Sequence, residues 1–445
     1  MMTIRQRRFG LQCLFGWMNL VLAVPSIYLM FGLPLIMRQH GWRGVEIGLF
    51  QLAALPAVFK FLFAIPVQRM HFGRAHYLHW LMLLSTLLLV LFWVIGRDSL
   101  INEGVTLFVL TFAISVMATW ADIPLNALAV QCLPRSAQFS AGNIRAAALF
   151  LGAILGGGVM IVVQARFGWQ APFLLMGLGL LTGVAGLASV RSSRSPETTA
   201  ADNLPSSHGS TVLQDWAGFF DQPGARQWTV VLLTSFPFIG TAWLYLKPLL
   251  LDQGMPMERV ALVVGILGGV TGALASLLGG RLTRHLGVAA AIGTYLSMSL
   301  CALAFLSLVV WTDLGSIWLI VSVIALAASM GAVSGLIFGL TMFFTRTQRN
   351  ASDYGLQTTL FTMTRLSLPV VAGVLLDRWG RMAMLLSLTF GVLISVLLAW
   401  RYAGVIERSA QGMLDQEQRS GESFDSIRQN NDQDDEMKPS VSRAF

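Results

Sequence analysis

The sequence predicts an all-α membrane protein, with about twelve transmembrane helices in two six-helix, pseudo-symmetric halves. Composition, recurrent apolar runs and an internal repeat predict it. Of 445 residues, 55% are hydrophobic and only 12% are charged, about half the charge of an ordinary soluble domain. Mean hydropathy is +0.67. Apolar runs of ~20 residues, the length that crosses ~30 Å of hydrocarbon, recur along the chain. Loop punctuation recurs at an offset of roughly 212 residues. These figures exclude a disordered chain, a coiled coil and a disulfide-rich scaffold. The net charge of +8 reads as loop charge of a membrane protein rather than a nucleic-acid footprint, because so apolar a surface would not stay in water.

The spans follow in order. Arg5, Arg7 and Arg8 precede an apolar run too long for a cleavable signal, so Phe9–Met37 is the first span. Ile47–Pro66 is the second, closed by the loop around Phe72-Gly73-Arg74, and Tyr77–Ile95 is the third. Val105–Val130 ends just before Pro134, Ala141–Val163 follows the polar run from Arg135, and Ala171–Val190 opens after Gly168-Trp169. A Ser-, Thr- and Pro-rich stretch without periodicity, Arg191–Arg226, reads as a linker. The second set is Trp228–Leu251, Val260–Gly279, Val288–Val310, Ser316–Phe344, Leu356–Leu376 and Ala383–Trp400. Residues 1–190 and 228–401 thus form the halves, 191–227 a cytoplasmic linker, and 402–445 a polar tail expected to be disordered.

The offset relates three pairs of loops. Phe72-Gly73-Arg74 answers His285-Leu286-Gly287, Arg135–Ala141 answers Arg346–Ser352, and Gly168-Trp169 answers Trp379-Gly380. With the N-terminus inside, inner loops hold fourteen arginines (Arg145 among them) and outer loops seven. That bias places both termini in the cytoplasm.

The body from Phe9 to Trp400 resembles the major facilitator superfamily. The loops Gln68–Arg74 and Gly280–Gly287 are similar to its signature between helices 2 and 3 and between 8 and 9, without the signature's acidic residue. Trp120-Ala-Asp122-Ile-Pro-Leu-Asn126-Ala-Leu-Ala129-Val130 resembles the T-Q-D-I-x-x-D-x-x-A-V stretch of muropeptide permeases and of siderophore permeases of the rhizobactin and pyochelin type. Ala121 replaces the Gln and Asn126 the second Asp, leaving one carboxylate. The resemblance implies a secondary transporter of a bacterial inner membrane that imports such a solute.

Ionisable side chains at membrane depth cost at least ~2.5–3.5 kcal/mol and mark function by default. Asp122 lies about 11 residues before Pro134, roughly 16 Å deep, and is the candidate proton carrier, with Asn126 one turn on to hold it. Arg365, at similar depth, presents a planar fork for a substrate anion, with Gln357, Thr358 and Thr362 nearby. Lys60 fits either pairing with Asp122 or anion binding, and Lys247 either substrate or the outer interface. Asn19 and Trp120 join the candidate cavity wall. The glycines Gly152 and Gly156 in the fifth span, and Gly265 and Gly269 in the eighth, are expected between the halves.

There is no Walker loop, H-E-x-x-H or G-x-S-x-G, and the six histidines never pair at zinc spacing. The expectation is therefore a transporter, not an enzyme, without a cofactor or resident metal. Its partners are protons, a medium-sized anionic solute and lipid, not nucleic acid, and it works as a monomer. Efflux of amphiphilic compounds and a transporter-like sensor remain the alternatives.

Overall fold

The computed structural model describes residues 4–70, 72, 75–191, 212–346 and 349–436. Eleven helices among them are long and apolar enough to cross a membrane. The first ten are α1 (Phe9–Gln39), α2 (Glu46–Arg69), α3 (His76–Arg97), α4 (Gly104–Cys132), α5 (Arg135–Phe167), α6 (Gln170–Ala188), α7 (Ala225–Asp252), α8 (Met257–Leu286), α9 (Val288–Thr312) and α10 (Ser316–Phe343). The last, Asn350–Asp415, is two spans, because Gly380 at φ 78° and ψ 176° breaks the helix. We number its arms α11 and α12. Gly168, between α5 and α6, has the same conformation, φ 84° and ψ −179°. Essentially only glycine adopts that region. The two glycines are an expected repeat pair, so the two halves turn into their last helices with one shared backbone device.

The buried side chains form two apolar clusters, one from Phe15 to Leu187 and one from Phe219 to Ala410. Each half therefore builds its own core. Three residues cross over: Met342 and Ala351 pack into the first core and Phe139 into the second. All three lie near the end of the bundle where α1 begins, which we call the base. The opposite end is the mouth.

The halves meet along the base portions of α2, α4 and α5 on one side and of α8, α10 and α11 on the other. A Cβ on Gly142 of α5 would overlap the backbone of Gly339 in α10 across the halves, and one on Gly331 the backbone of Gly272 in α8 within the second half. Backbones this close need residues without side chains. The mouth segments Leu33–Gln39, Gly44–Phe50 and Met160–Phe167 make no comparable contact with Pro237–Asp252 among the described residues. The bundle is shut at the base and open at the mouth.

Three expectations are corrected here. Most of the linker, 192–211, lies outside the described residues, but Val212–Phe220 is helical and packs on the base, with Trp216 against Phe61 at 5.5 Å. The tail does not begin as disordered chain. The α12 helix runs on to Glu436, and Ala403, Ile406 and Ala410 are buried. Their spacing of three and four is a helical stripe, and residues 437–445 lie outside the described residues. Finally, Gly152 and Gly156 face Leu20, Ala23 and Ile27 of α1 within their own half, and Gly265 faces nothing. Of that set only Gly269 touches the other half, at Ile154 and Phe150.

Candidate functional site

Three helices bring a charged side chain to one level. Lys60 is nine residues from the base end of α2, Asp122 ten from that of α4, and Arg145 ten into α5, all ~14–15 Å from the base at 1.5 Å per residue. In α2 the residues before Lys60, Gln51–Phe59, wind as a 3₁₀ helix containing Pro56, and regular α-helix resumes at Lys60. Such a change of winding bends the helix and turns Lys60 inward.

Lys60 Nζ lies 2.6 Å from Asp122 Oδ2. Arg145 Nη2 donates to both carboxylate oxygens at 3.2 Å. Tyr354 Oη of α11 donates to Oδ2 at 2.9 Å. Asn126 Nδ2 donates to Asp122 Oδ1 at 2.9 Å and to its backbone oxygen at 2.7 Å. The carboxylate is thus saturated by donors, and one of them comes from the opposite half. Two cations surround one anion. A buried ion pair persists only with such added hydrogen bonds, since desolvation alone outweighs the Coulomb gain.

Arg145 is 5% exposed, its Nε and Nη1 have no hydrogen-bond partner among the described residues, and its guanidinium lies over the rings of Phe338 (4.7 Å) and Tyr354 (5.3 Å). It is not the loop residue the charge count assumed. The sequence carried a signal for it: α4 and α5 are antiparallel about Pro134, and Asp122 and Arg145 stand almost equally far from that turn. Tyr354 had no signal of its own.

Arg365 stands eleven residues beyond Tyr354. Eleven residues is about three full turns, ~16 Å, so the two share a face. That face of α11 looks onto the gap between the halves, and the Arg365 side chain is exposed there. It makes no ion pair or hydrogen bond among the described residues, and its guanidinium sits 5.9 Å from the Phe236 ring. Lys247 is exposed near the mouth end of α7, also without an ion pair among the described residues.

Several candidates point elsewhere. Gln357 is buried within the second half, accepting from Trp228 Nε1 at 2.7 Å and donating to Thr341 O at 3.1 Å. Thr358 and Thr362 donate to carbonyls one turn back on their own helix. Trp120 packs between Phe63 and Trp80, within the first half. Asn19 is buried and bonded to Phe15 O. Of the expected substrate ligands, only Arg365 and Lys247 remain uncommitted, while Lys60 is held by Asp122.

The sequence profile of the Major Facilitator Superfamily matches residues 14–362. Solved structures share the fold at low identity. The human organic anion transporter MFSD10 (TETRAN) superposes with TM-score 0.67 and 16% identity, covering 88% of this chain and 99% of that one. A bacterial homologue of the iron transporter ferroportin, outward-facing with soaked iron, gives TM-score 0.64 and 17% identity over 90% and 99%. The transporter FucP in its outward conformation gives TM-score 0.61 and 16% identity over 90% and 97%.

Proposed function

The chain belongs to the major facilitator superfamily, and from that premise we propose a proton-coupled carrier that imports a medium-sized anionic solute by alternating access. A siderophore or a cell-wall muropeptide is the cargo class that the stretch at Asp122 suggests. The arginine bias supports a cytoplasmic base, and the resemblance at Asp122 suggests a bacterial inner membrane, so on this reading the shut base and open mouth are a state that awaits external solute. One observation carries the reading. A single carboxylate at membrane depth, Asp122, is held by two cations of its own half and by Tyr354 of the other.

Such a group links charge to conformation. Neutralising the carboxylate removes its attraction for Lys60 and Arg145 and weakens the Tyr354 hydrogen bond across the halves. A proton or an incoming anion can therefore loosen the base through the same atoms. Arg365, on the central face without an ion pair among the described residues, supplies the fork for the cargo's acid group.

The test is uptake into proteoliposomes under an imposed pH gradient. Native protein should accumulate an anionic siderophore or muropeptide, and Asp122→Asn should not. Equal behaviour of the two proteins would sink the coupling.

A further inference from the structure

A strip of three phenylalanine rings runs along the central side of the second half, with a guanidinium over each end. At the mouthward end Arg365 lies over Phe236 at 5.9 Å. Phe236 meets Phe361 at 5.3 Å and Phe361 meets Phe338 at 6.2 Å. At the baseward end Arg145 lies over Phe338 at 4.7 Å. Three different helices, α7, α11 and α10, supply the rings, so no single helical period produces the strip. Phe236 and Phe338 are only half-buried. The two guanidinium groups differ in one respect: Arg145 is committed to Asp122, whereas Arg365 has no anionic partner among the described residues.

We propose that this strip is the cargo site and that the cargo is an elongated organic anion with an aromatic body. Its acid group pairs with Arg365, and its rings lie against Phe236 and Phe338. The inference rests on the carrier reading above and narrows its cargo. A compact inorganic anion would engage Arg365 and leave the apolar wall without a partner. A neutral aromatic would cover the wall but leave a guanidinium unpaired as the site closes, and that penalty is steep. Cations meet Arg365, Arg145 and Lys60 against the single charge of Asp122. An aromatic acid satisfies both wall and fork, since ring faces stack on ring faces and guanidinium binds carboxylate bidentately.

Binding to the full chain in lipid nanodiscs tests this without any gradient. The probes are biphenyl-4-carboxylate, biphenyl-4-methanol and inorganic phosphate. The acid should bind at least about tenfold more tightly than the alcohol, and phosphate should not displace it. Arg365→Gln should reduce the acid to the level of the alcohol, and Arg365→Lys should restore part of the difference. Phe236→Leu should weaken the acid about five- to tenfold, the worth of one aromatic contact. No binding of the acid, equal binding of acid and alcohol, displacement by phosphate, or indifference to Phe236→Leu each overturns the proposal. The acid-alcohol comparison on native protein needs no variant to fold. The two readings fail separately. Binding of the acid with no solute uptake into proteoliposomes overturns the carrier alone. Uptake of a non-aromatic anion unchanged by Phe236→Leu overturns the strip alone.

Discussion

Asp122 accepts hydrogen bonds from Lys60, Arg145, Tyr354 and Asn126, and every one of these donors depends on its charge. Asp122→Ala leaves two buried cations facing each other, and it should lower stability by about 3–5 kcal/mol. Thermal unfolding in detergent reads this, and Lys60→Met added to Asp122→Ala should recover part of the loss. An unshifted unfolding temperature in the single variant would mean that the cluster is solvated. Tyr354→Phe is a milder change, removing one hydrogen bond to a charged group worth about 1.5–3 kcal/mol. Because that bond crosses the halves, the base should open more often. A cysteine at Thr359, now buried where its hydroxyl accepts from Phe61 N, should then label faster, and an unchanged rate would separate Tyr354 from the gate. The meeting of Asp122 with Lys60 was half legible: a lone carboxylate and a lysine inside spans invite pairing, but only the helix ends put both at one level, and anion binding by Lys60 stayed open until then. Arg145 was lost among loop arginines because hydropathy begins its span late, at Ala141, although its helix starts at Arg135. Gln357 failed for angular reasons: three residues from Tyr354 is ~300° of rotation, which turns it into the second core.

Helix packing decides which small residues matter, and sequence alone ranked them poorly. Glycine stripes in α5 and α8 are equally conspicuous on either side of the contact, but only a partner's backbone makes one of them obligatory. Gly142 has that partner in Gly339, and Gly265 has none. Gly142→Ala should therefore cost about 1–3 kcal/mol by overpacking and slow transport, while Gly265→Ala should change neither. Unfolding temperature and initial uptake rate, measured side by side, decide it. The α12 extension was misread for a related reason. Its polar composition masked the stripe of Ala403, Ile406 and Ala410, whose partners come from the far end of the same half. Ser409 fills the space beside Gly224 and Glu407 the space beside Gly287, while Arg135 of the first half donates to Met413 Sδ at 3.1 Å. The extension therefore straps the base. Ile406, fully buried, should lose about 2–5 kcal/mol as Ile406→Ala, against under about 0.5 kcal/mol for the exposed Arg408→Ala. A free tail would tolerate both alike.

At the scale of the whole molecule, the twelve-helix plan was readable because hydrocarbon thickness sets a length and the repeat sets an offset. The state of the bundle was not readable, because mouth-open and base-open forms share every span and differ only in contacts between the halves. Those contacts now sit at the base: Gly142 of α5 against the backbone of Gly339 in α10, Tyr354 on Asp122, and Ala351 N on Gln68 at 3.1 Å. Each half has its own apolar core, and close-packed cores move as units rather than deforming continuously. Closing the mouth must then part the base, with α5, α8 and α10 as the fulcrum. Spin labels test the coupling directly. One pair, at Leu35 in α1 and Leu251 in α7, spans the mouth on exposed positions of the two halves. A second pair, at Met70 after α2 and Arg408 in α12, spans the base, also on exposed positions. Addition of a transported anion should shorten the mouth distance and lengthen the base distance in the same preparation. Tyr354→Phe should shift both in that direction before any solute is added, since it weakens only the base. If the mouth closes while the base distance holds, the halves are not rigid partners about one fulcrum, and Asp122 is then a packing ion pair rather than the element through which charge moves the molecule.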